Sequence, residues 1–371
     1  MKTNKKIAVI TRHAVSNYGS VLQTYALQEA IKEAGFDCEI IDYVRFDEDY
    51  RKITDTLIRK SPKWNKNFAT RLIYKCIQSP EYILMGRRFE KFQKKLLNRT
   101  PQKYHSLQEL KSNPPQADIY CTGSDQVWGA IGADAYDRAY YLDFPAKNSK
   151  KIAYAASFGK TDLSEEALKS ACDLLCQYDK ITVRENSAVD IINNMSIACS
   201  QVLDPTLLLD REKWSALIDR ETDKKYVLLY QLHNNPQMDR YAMEFAKKCG
   251  LPLLRMTTFL HRMFNGGKFE YLPSTGRFLS LIKNAEYMIT DSFHGTAFAI
   301  NFNTQFIDIL PGETKTRNQS ILQLTGLTDR VLDSYDDFSF INKKIDFENA
   351  NRILAEQRKQ SLNILKEMLD D

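Results

Sequence analysis

Residues 6–43 read KIAVITRHAVSNYGSVLQTYALQEAIKEAGFDCEIIDY, and this stretch decides the fold. Residues 6–11 and 38–43 are short apolar runs of the kind that form buried strands. Between them, apolar side chains over 19–34 recur with helical periodicity, and Gly35 follows as a stop signal. A strand, a helix and a second strand in this order predict a βαβ unit, which implies a parallel sheet and a right-handed crossover.

The alternation of strands and helices continues along the chain. Further strand-like runs occur at residues 117–122, 151–157, 180–183, 201–203, 226–230, 251–256, 287–290 and 305–309. A polar stretch over 219–225 predicts a linker between two such series. We therefore predict an α/β protein with two Rossmann-like domains facing a cleft. The predicted units are an N-terminal domain at 1–218, a C-terminal domain at 225–345, and a C-terminal helix at 346–371 that packs back on the first domain.

The composition is that of an ordinary globular protein, since 43% of the 371 residues are hydrophobic and 27% are charged. No run approaches the ~18 apolar residues of a membrane span, and the apolar residues 7–10 are too few for the core of a signal peptide. The seven cysteines are scattered, without a Cys-x-x-Cys pair, so neither a disulfide framework nor a zinc site is expected. These features predict a cytoplasmic protein.

The net charge of +5 is concentrated in one segment. Residues 51–103 carry fifteen Lys and Arg, opposed only by Asp55, Glu81 and Glu90, and helical spacing interleaves these cations with apolar side chains. We predict a basic helical insertion at about 51–110. Such a segment can bind the anionic inner face of a membrane. The alternative is a solvated helical face over a core, while nucleic-acid binding is not supported because no recognised motif accompanies the charge.

The strongest candidate for a functional group is His294, one of only five histidines. It lies in TDSFHGTAF, residues 290–298, where a predicted strand passes into a helix. Open α/β sheets bind ligands at this place, outside the carboxyl end of a strand and against a helix N-terminus. The alternative is a core histidine capped by its own turn, because a short motif remains a hypothesis until its context supports it.

Two more polar clusters follow predicted strands. Residues 16–20 (SNYGS) lie between the first strand and its helix, where glycine permits close approach and free N–H groups favour an anion. The alternative is a plain N-capped turn, and the lack of a Gly-x-Gly-x-x-Gly pattern leaves a dinucleotide cofactor unsupported. Residues 123–128 (GSDQVW) offer carboxylate, amide and indole groups to a sugar. The alternative for this cluster is a loop whose tryptophan fills the core.

Cations also lie near the ends of predicted strands. Arg184 follows the run 180–183. Its guanidinium can bind a carboxylate or phosphate through two parallel hydrogen bonds, unless it pairs with Glu185 or another acid. Lys315 and Arg317 come after the last predicted strand, from where either could reach back to an anionic ligand. One histidine, these cations, two Gly/Ser turns and a Trp-containing loop thus converge on a single predicted cleft.

The sequence resembles a known family, the polysaccharide pyruvyl transferases. Six blocks carry the resemblance, in the order in which the family has them. They are Asn17–Gln23 with Tyr25–Gln28, Gly123–Trp128, Tyr154–Gly159, Val183–Glu185, Leu203–Thr206 and Thr290–Gly295. The basic insertion is the least similar part. The resemblance implies a glycosyltransferase-B-like fold, with the site between two Rossmann-type domains.

The resemblance also implies a reaction. A pyruvyl group passes from phosphoenolpyruvate to two hydroxyls of one sugar and forms a cyclic ketal on a surface or capsular polysaccharide precursor. The implied partners are phosphoenolpyruvate and a sugar acceptor, which the basic segment favours as a lipid-linked oligosaccharide at the membrane. No nucleic acid, cofactor or metal is expected, because no step requires one. Family members differ in donor and acceptor, so the family does not fix the substrate.

As a hypothesis for the mechanism, His294 is a general acid at the enol or at the leaving phosphate, because a histidine titrates near neutral pH. Arg184 would hold the donor bidentately, and Lys315, aligned with a basic position of the family, would balance phosphate charge, with Arg317 in its place if the alignment is offset by two residues. The remaining donor-binding residues are predicted to be Asn17, Gly19, Ser20 and Ser292. The predicted acceptor-binding residues are Ser124, Asp125, Gln126 and Trp128.

Two other functions stay open from the sequence. The first is a nucleotide-sugar-dependent glycosyltransferase, because the implied fold is shared with such enzymes. The second is a non-catalytic carbohydrate-binding protein at the membrane, which would bind sugar or lipid and release no phosphate.

Overall fold

The computed structural model describes residues 5–129, 136–160, 163–222, 224–312 and 315–370. Two parallel sheets organise the chain. The first sheet has the strands β1 (Lys6–Ile10), β2 (Asp37–Tyr43), β3 (Arg99–Tyr104), β4 (Ile119–Thr122), β5 (Lys150–Ala156), β6 (Lys180–Val183) and β7 (Ser200–Gln201). The second has β8 (Val227–Tyr230), β9 (Leu253–Thr257), β10 (Lys268–Tyr271), β11 (Tyr287–Thr290) and β12 (Phe306–Asp308). The α/β class predicted from the alternation is therefore confirmed.

Helices connect most of these strands, as parallel pairing requires. In chain order they are α1 (Tyr18–Glu33), α2 (Ile53–Lys60), α3 (Phe68–Leu96), α4 (Leu107–Ser112), α5 (Glu165–Leu175), α6 (Asn186–Asn193), α7 (Arg211–Ser215), α8 (Pro236–Lys248), α9 (Thr275–Lys283), α10 (Phe293–Phe302), α11 (Lys315–Thr325) and α12 (Glu348–Asp370). Residues 7–10 of β1 are fully buried, which explains why a continuous apolar run marks this strand.

Both sheets share one topology. The strand order is β3-β2-β1-β4-β5-β6-β7 in the first sheet and β10-β9-β8-β11-β12 in the second. In each sheet the first strand pairs with the second on one side and the fourth on the other, so Ile7 lies between Cys38 and Ile119. The progression of the chain reverses at this place, which is where doubly wound sheets bind ligands. The structure has two such switch points, at β1/β4 and at β8/β11.

The segment predicted as a basic helical insertion at about 51–110 is only partly helical. Helices α2 and α3 fill residues 53–96, but β3 then adds a strand to the edge of the first sheet, followed by the short helix α4. The prediction is wrong for this part because β3 reads RTPQKY, in which only Thr100 and Tyr104 are buried. A polar edge strand lacks the apolar alternation that marks a strand in sequence, and its Pro101 is tolerated at an edge. The four-residue edge strand β10 was also missed.

The two sheets are held together by direct packing. Tyr18 of α1 stacks on Phe278 of α9 with ring centroids 4.4 Å apart, and its hydroxyl donates to the Pro273 carbonyl at 2.7 Å. Asn301 of α10 donates to the Leu209 carbonyl at 2.8 Å. One buried apolar cluster includes residues of both units. Helices α1 and α10, which carry the predicted site, are therefore linked through the shared apolar cluster and the packing of α1 on α9.

The C-terminal helix α12 lies against the first sheet's side of the molecule. The backbone N–H of Leu203 donates to the Ser361 hydroxyl at 3.0 Å, and Lys5 Nζ donates to the Asp370 carbonyl at 3.0 Å. None of the helices in the described ranges combines the length and apolarity that a membrane crossing needs.

Candidate functional site

A cavity of about 260 Å³ lies between the two sheets. Its charged and polar lining includes Arg12, Asp125, His233 and His294, and these four residues follow β1, β4, β8 and β11 in that order. The four strands are the ones that flank the two switch points. Parallel strands of both domains thus direct their carboxyl ends at one space, which is the arrangement expected of a ligand site in this fold.

Two helix N-termini face the cavity from opposite sides. Asn17 caps α1 by accepting from the Gly19 N–H at 2.8 Å, and Ser292 caps α10 by accepting from the Gly295 N–H at 3.3 Å. Both capping residues line the cavity, as does Ser20 in the first turn of α1. The positive ends of helices of sixteen and ten residues meet there. This is a favourable environment for an anion.

The imidazole of His294 lies directly on the first turn of α1. A Cβ atom added to Gly19 would be 2.0 Å from His294 Nδ1, so no other residue type fits at position 19 without moving the ring. Gly19 does not line the cavity as a contact of its own. Its role is to let the histidine of one domain approach the helix of the other.

The protonation of His294 differs from the prediction. The residue is 7% exposed, and its Nε2 is buried with no hydrogen-bond partner. Burial lowers the pKa of His294 to about 4, although the carboxylates of Asp204 and Asp125 oppose this shift. The ring is therefore neutral at pH 7. Burial thus favours the neutral imidazole over the protonated general acid of the mechanistic hypothesis, and a neutral His294 can accept a proton.

Arg184 is engaged within the protein. Its side chain is 1% exposed, and its guanidinium contacts three carboxylates, listed here with the shortest N···O distance: Asp204 at 2.8 Å, Glu185 at 3.2 Å and Asp125 at 3.4 Å. Burial opposes the charge, but these carboxylates outweigh it and hold the pKa of Arg184 above its usual value. The guanidinium of Arg184 is thus engaged by carboxylates, and it lines not this cavity but a neighbouring one that shares Phe293 and Arg317 with it, so its binding of the donor stays a prediction. The structure has the alternative named above, in which Arg184 forms salt bridges with acidic residues. Its contact with Asp125 positions that carboxylate.

Arg317, and not Lys315, lines the cavity. The Nε of Arg317 is buried without a hydrogen-bond partner, and within the described part of the chain its guanidinium forms no ion pair. Burial, reinforced by the nearby charge of Arg184, lowers the pKa of Arg317 to about 10. Lys315 is exposed at the start of α11 and does not line this cavity, so of the two predicted cations Arg317 is the one placed at it. A half-buried cation that forms no direct ion pair is a group that an anionic ligand would neutralise.

The cluster predicted to bind the acceptor divides in two. Asp125 and Gln126 line the cavity, and Asp125 Oδ2 accepts from the Ser20 hydroxyl at 2.8 Å. Burial opposes the charge of Asp125, but Arg184 and Arg12 outweigh it and hold the pKa of Asp125 well below its usual range. Asp125 adopts a φ of 76°, a left-handed conformation that turns the chain here.

Ser124 and Trp128 point away from the cavity, so their prediction as acceptor contacts is wrong. Trp128 is 0% exposed, stacks on Tyr141 and donates its indole N–H to the Tyr140 carbonyl at 3.3 Å. The Ser124 hydroxyl donates to Asp204 Oδ2 at 3.0 Å. The alternative of a tryptophan that fills the core is the correct one.

Sequence reasoning missed Arg12, His233 and Asp291 among the residues that line the cavity. Arg12 follows the first strand and donates from Nε to Glu48 Oε1 at 2.7 Å, while His233 follows β8 and contacts Asp291. Both stand just beyond the carboxyl end of a predicted strand, so the rule that selected His294 could have selected them. The neighbouring His13 satisfies the same rule but is buried, with Nε2 3.2 Å from Asp42. Position relative to a strand therefore does not settle which side chain faces the ligand.

Comparisons with known proteins agree with this architecture. MnaA of S. aureus, in a co-structure with UDP, superposes with a TM-score of 0.53 at 11% identity, over 99% of this chain and 97% of that chain. A UDP-GlcNAc 2-epimerase from Neisseria meningitidis bound to UDP-GlcNAc gives 0.51 at 11% identity, over 98% and 99%. At such identities the likeness shows the glycosyltransferase-B-like fold alone. No curated protein matched the sequence.

Family membership rests on a separate comparison. The family model described as polysaccharide pyruvyl transferase matches residues 17–310, which include the α1 N-terminus, the Asp125 loop and the His294 turn. The chain thus belongs to the polysaccharide pyruvyl transferase family.

Proposed function

We propose that the chain transfers a pyruvyl group from phosphoenolpyruvate to two hydroxyls of a sugar and forms a cyclic ketal. The observation that carries this proposal is the cavity in which two helix N-termini, the unpaired Arg317 and the unpartnered Nε2 of His294 meet. Such a site favours a small, highly charged anion. Membership of the family supplies the reaction class.

In the proposed complex, the phosphate and carboxylate of the donor occupy the positive end of the cavity. The N–H groups at the starts of α1 and α10 and the guanidiniums of Arg317 and Arg12 surround that end. Asp125 and Gln126 lie in the same cavity and would accept and donate hydrogen bonds to the sugar hydroxyls. Ser20, which donates to Asp125, orients its carboxylate.

The reaction balances without a further reactant. The methylene carbon of the enol gains a proton, and the neighbouring carbon becomes electrophilic. One sugar hydroxyl attacks it and loses its proton, the bond to the phosphate oxygen breaks, and the second hydroxyl closes the ring. Of the two hydroxyl protons, one replaces that given to carbon and one leaves with hydrogen phosphate. A neutral His294 suits the role of base toward an attacking hydroxyl.

Removing the charge of Arg317 is expected to weaken donor binding. In Arg317→Gln, the KM for phosphoenolpyruvate should rise about 10- to 100-fold, because a charge-assisted hydrogen bond is worth about 1.5–3 kcal/mol. Initial rates against donor concentration measure the change. Lys315→Gln is the matched control, since it removes an exposed cation two residues away and should leave KM unchanged. Equal effects of the two substitutions would contradict the assignment of Arg317.

The proposed reaction is tested by offering the protein labelled phosphoenolpyruvate or a labelled nucleotide sugar with a panel of sugar acceptors. We expect phosphate release and a product heavier by the pyruvylidene group only with phosphoenolpyruvate. Transfer from the nucleotide sugar would favour the glycosyltransferase alternative. Sugar binding without phosphate release would favour the non-catalytic one.

We also propose that α3 carries the protein to an anionic membrane, where a lipid-linked acceptor would lie. All buried side chains of this helix come from Met85 onward. The preceding half exposes apolar side chains, with Phe68 78% and Ile77 63% exposed. The exposed cations nearby are Arg59 and Lys60 of α2 and Arg71 of α3, while the half-buried Lys75 pairs with Asp55 at 2.5 Å. Apolar side chains bordered by cations are typical of a segment that lies in the interface of an anionic bilayer.

Serine substitutions at the tip of α3 are expected to abolish this contact. The double variant Phe68→Ser/Ile77→Ser should reduce cosedimentation with vesicles containing anionic lipid by about tenfold. The reason is that two large apolar side chains are no longer available to pass from water into the bilayer interface. Met243→Ser is the control, since Met243 is an exposed apolar residue of α8 on the other domain. Retained binding in the double variant, or no binding by the unchanged protein at low salt, would reject the membrane proposal.

A further inference from the structure

A second histidine of the cavity forms a dyad with a carboxylate. His233 Nδ1 lies 3.0 Å from Asp291 Oδ2, and both residues line the cavity. The imidazole is 57% exposed and the carboxylate is buried. Because Nδ1 is held by Asp291, Nε2 is the ring nitrogen that remains for a ligand. A carboxylate in this position fixes the tautomer and orientation of an imidazole and stabilises its protonated form.

The loop that carries His233 is fixed from both sides. Asp291 also accepts from the backbone N–H groups of Leu232 at 2.7 Å and of His233 at 3.0 Å. On the far side, Arg262 donates to the carbonyls of Gln231 and Leu232. The imidazole therefore stands on a constrained backbone, and its position relative to the α10 N-terminus is set by Asp291, the residue that precedes the Ser292 cap.

The two histidines of the cavity experience opposite electrostatics. The hydrogen bond that His233 donates to Asp291 raises the pKa of His233 above its usual 6.5, and this effect outweighs burial and the repulsion by Arg317 and Arg262. His294, in contrast, has its pKa lowered to about 4. When the environments of two titratable groups in one site shift their pKa values in opposite directions, the pair is typical of an acid and a base that act together.

The geometry points to the His233–Asp291 dyad as the proton donor to the methylene carbon of the enol, with His294 as the base toward the hydroxyl. This assignment rests on the proposed function. The Nε2–H bond of protonated His233 breaks as the C–H bond of the new methyl group forms. The neutral imidazole of His233 is recharged by the proton of one sugar hydroxyl, the proton that His294 accepts from the other hydroxyl leaves with hydrogen phosphate, and Asp291 keeps its charge throughout. No oxidant, metal or further reactant enters the balance.

The role of His233 as proton donor is tested by comparing His233→Asn with the unchanged protein. The amide nitrogen of asparagine can replace Nδ1 as donor to Asp291, so the loop contact is kept while Nε2 and its proton are lost. We expect kcat to fall about a hundredfold with little change in the KM for phosphoenolpyruvate, as for the loss of a general acid. The rate of the unchanged protein should decline as pH rises through the pKa of His233, above 6.5, and this decline should disappear in the variant. His261→Asn, an exposed histidine of the 260–265 turn, is the matched control.

A second readout does not depend on turnover. Nuclear magnetic resonance titration of His233 should give a pKa above 6.5 that falls in Asp291→Asn. An unraised pKa, or a His233→Asn variant with the kcat and pH profile of the unchanged protein, would overturn the dyad. If the titration behaves as expected but the unchanged protein does not consume phosphoenolpyruvate with any acceptor, the proposed function fails and the charged dyad stands as a binding group for another anion.

Discussion

Replacing His294 by glutamine is expected to lower kcat for ketal formation by about a thousandfold. Glutamine retains a hydrogen-bonding group of similar reach but cannot accept a proton at neutral pH, and general-base catalysis is typically worth about 10²- to 10⁴-fold. The change should leave folding intact, because His294 Nε2 has no hydrogen-bond partner to lose. Single-turnover rates with saturating donor and acceptor measure the effect, and thermal unfolding verifies the fold.

The matched control for this variant is His261→Gln, which changes an exposed histidine outside the cavity. Its rate should equal that of the unchanged protein. The unchanged protein should also lose activity as pH falls toward about 4, because a protonated His294 can no longer accept a proton. A His294→Gln variant that turns over at the original rate would remove the residue from the chemistry altogether.

The fold was predictable because most of its strands are buried on both faces. A run such as residues 7–10 is apolar throughout and fully buried. The polar edge strand β3 was missed for the complementary reason. The edge of a sheet needs few apolar side chains, so its sequence does not distinguish a strand from a loop or a helical surface.

The location of the site was predictable, while the duty of each side chain was not. Strand ends gather at the switch points, so His294 and Asp125 could be placed near a ligand from sequence order alone. The role of Arg184 could not be predicted in this way. Its partners Asp125 and Asp204 are 59 and 20 residues away in the sequence, and no local pattern indicates that they pair with it. A strand-end arginine that binds a ligand and one that organises three carboxylates have the same sequence signature.

Burial decided the remaining assignments. Lys315 and Arg317 are two residues apart on α11, and only the second faces the cavity. Trp128 was expected to contact a sugar, but a large aromatic side chain gains more by filling the core against Tyr141. The protonation of His294 follows from the same cause, since desolvation outweighs its two acidic neighbours. None of these outcomes could be read without the packing around each side chain.

Substituting Gly19 by alanine is expected to abolish activity without removing any polar group. The added Cβ would lie 2.0 Å from His294 Nδ1, so the imidazole must leave its place on the α1 N-terminus. We expect kcat to fall about a thousandfold, as in His294→Gln, together with a loss of about 1–3 kcal/mol in the free energy of unfolding from overpacking. Gly312→Ala, at an exposed glycine whose added Cβ meets no neighbour, should change neither quantity.

The double variant separates this clash from any general effect of alanine in α1. In a His294→Ala background the ring is absent, so Gly19→Ala should cost little stability. It could even gain up to about 1 kcal/mol, because alanine favours a helix over glycine. The change in unfolding free energy on Gly19→Ala should therefore reverse or vanish between the two backgrounds, which measures the coupling between the residues. Activity should stay lost in the double variant, since the base is missing. If Gly19→Ala lowers the free energy of unfolding equally with and without the imidazole, α1 and His294 do not contact each other across the cleft. The candidate site, which depends on that contact, would then be rejected.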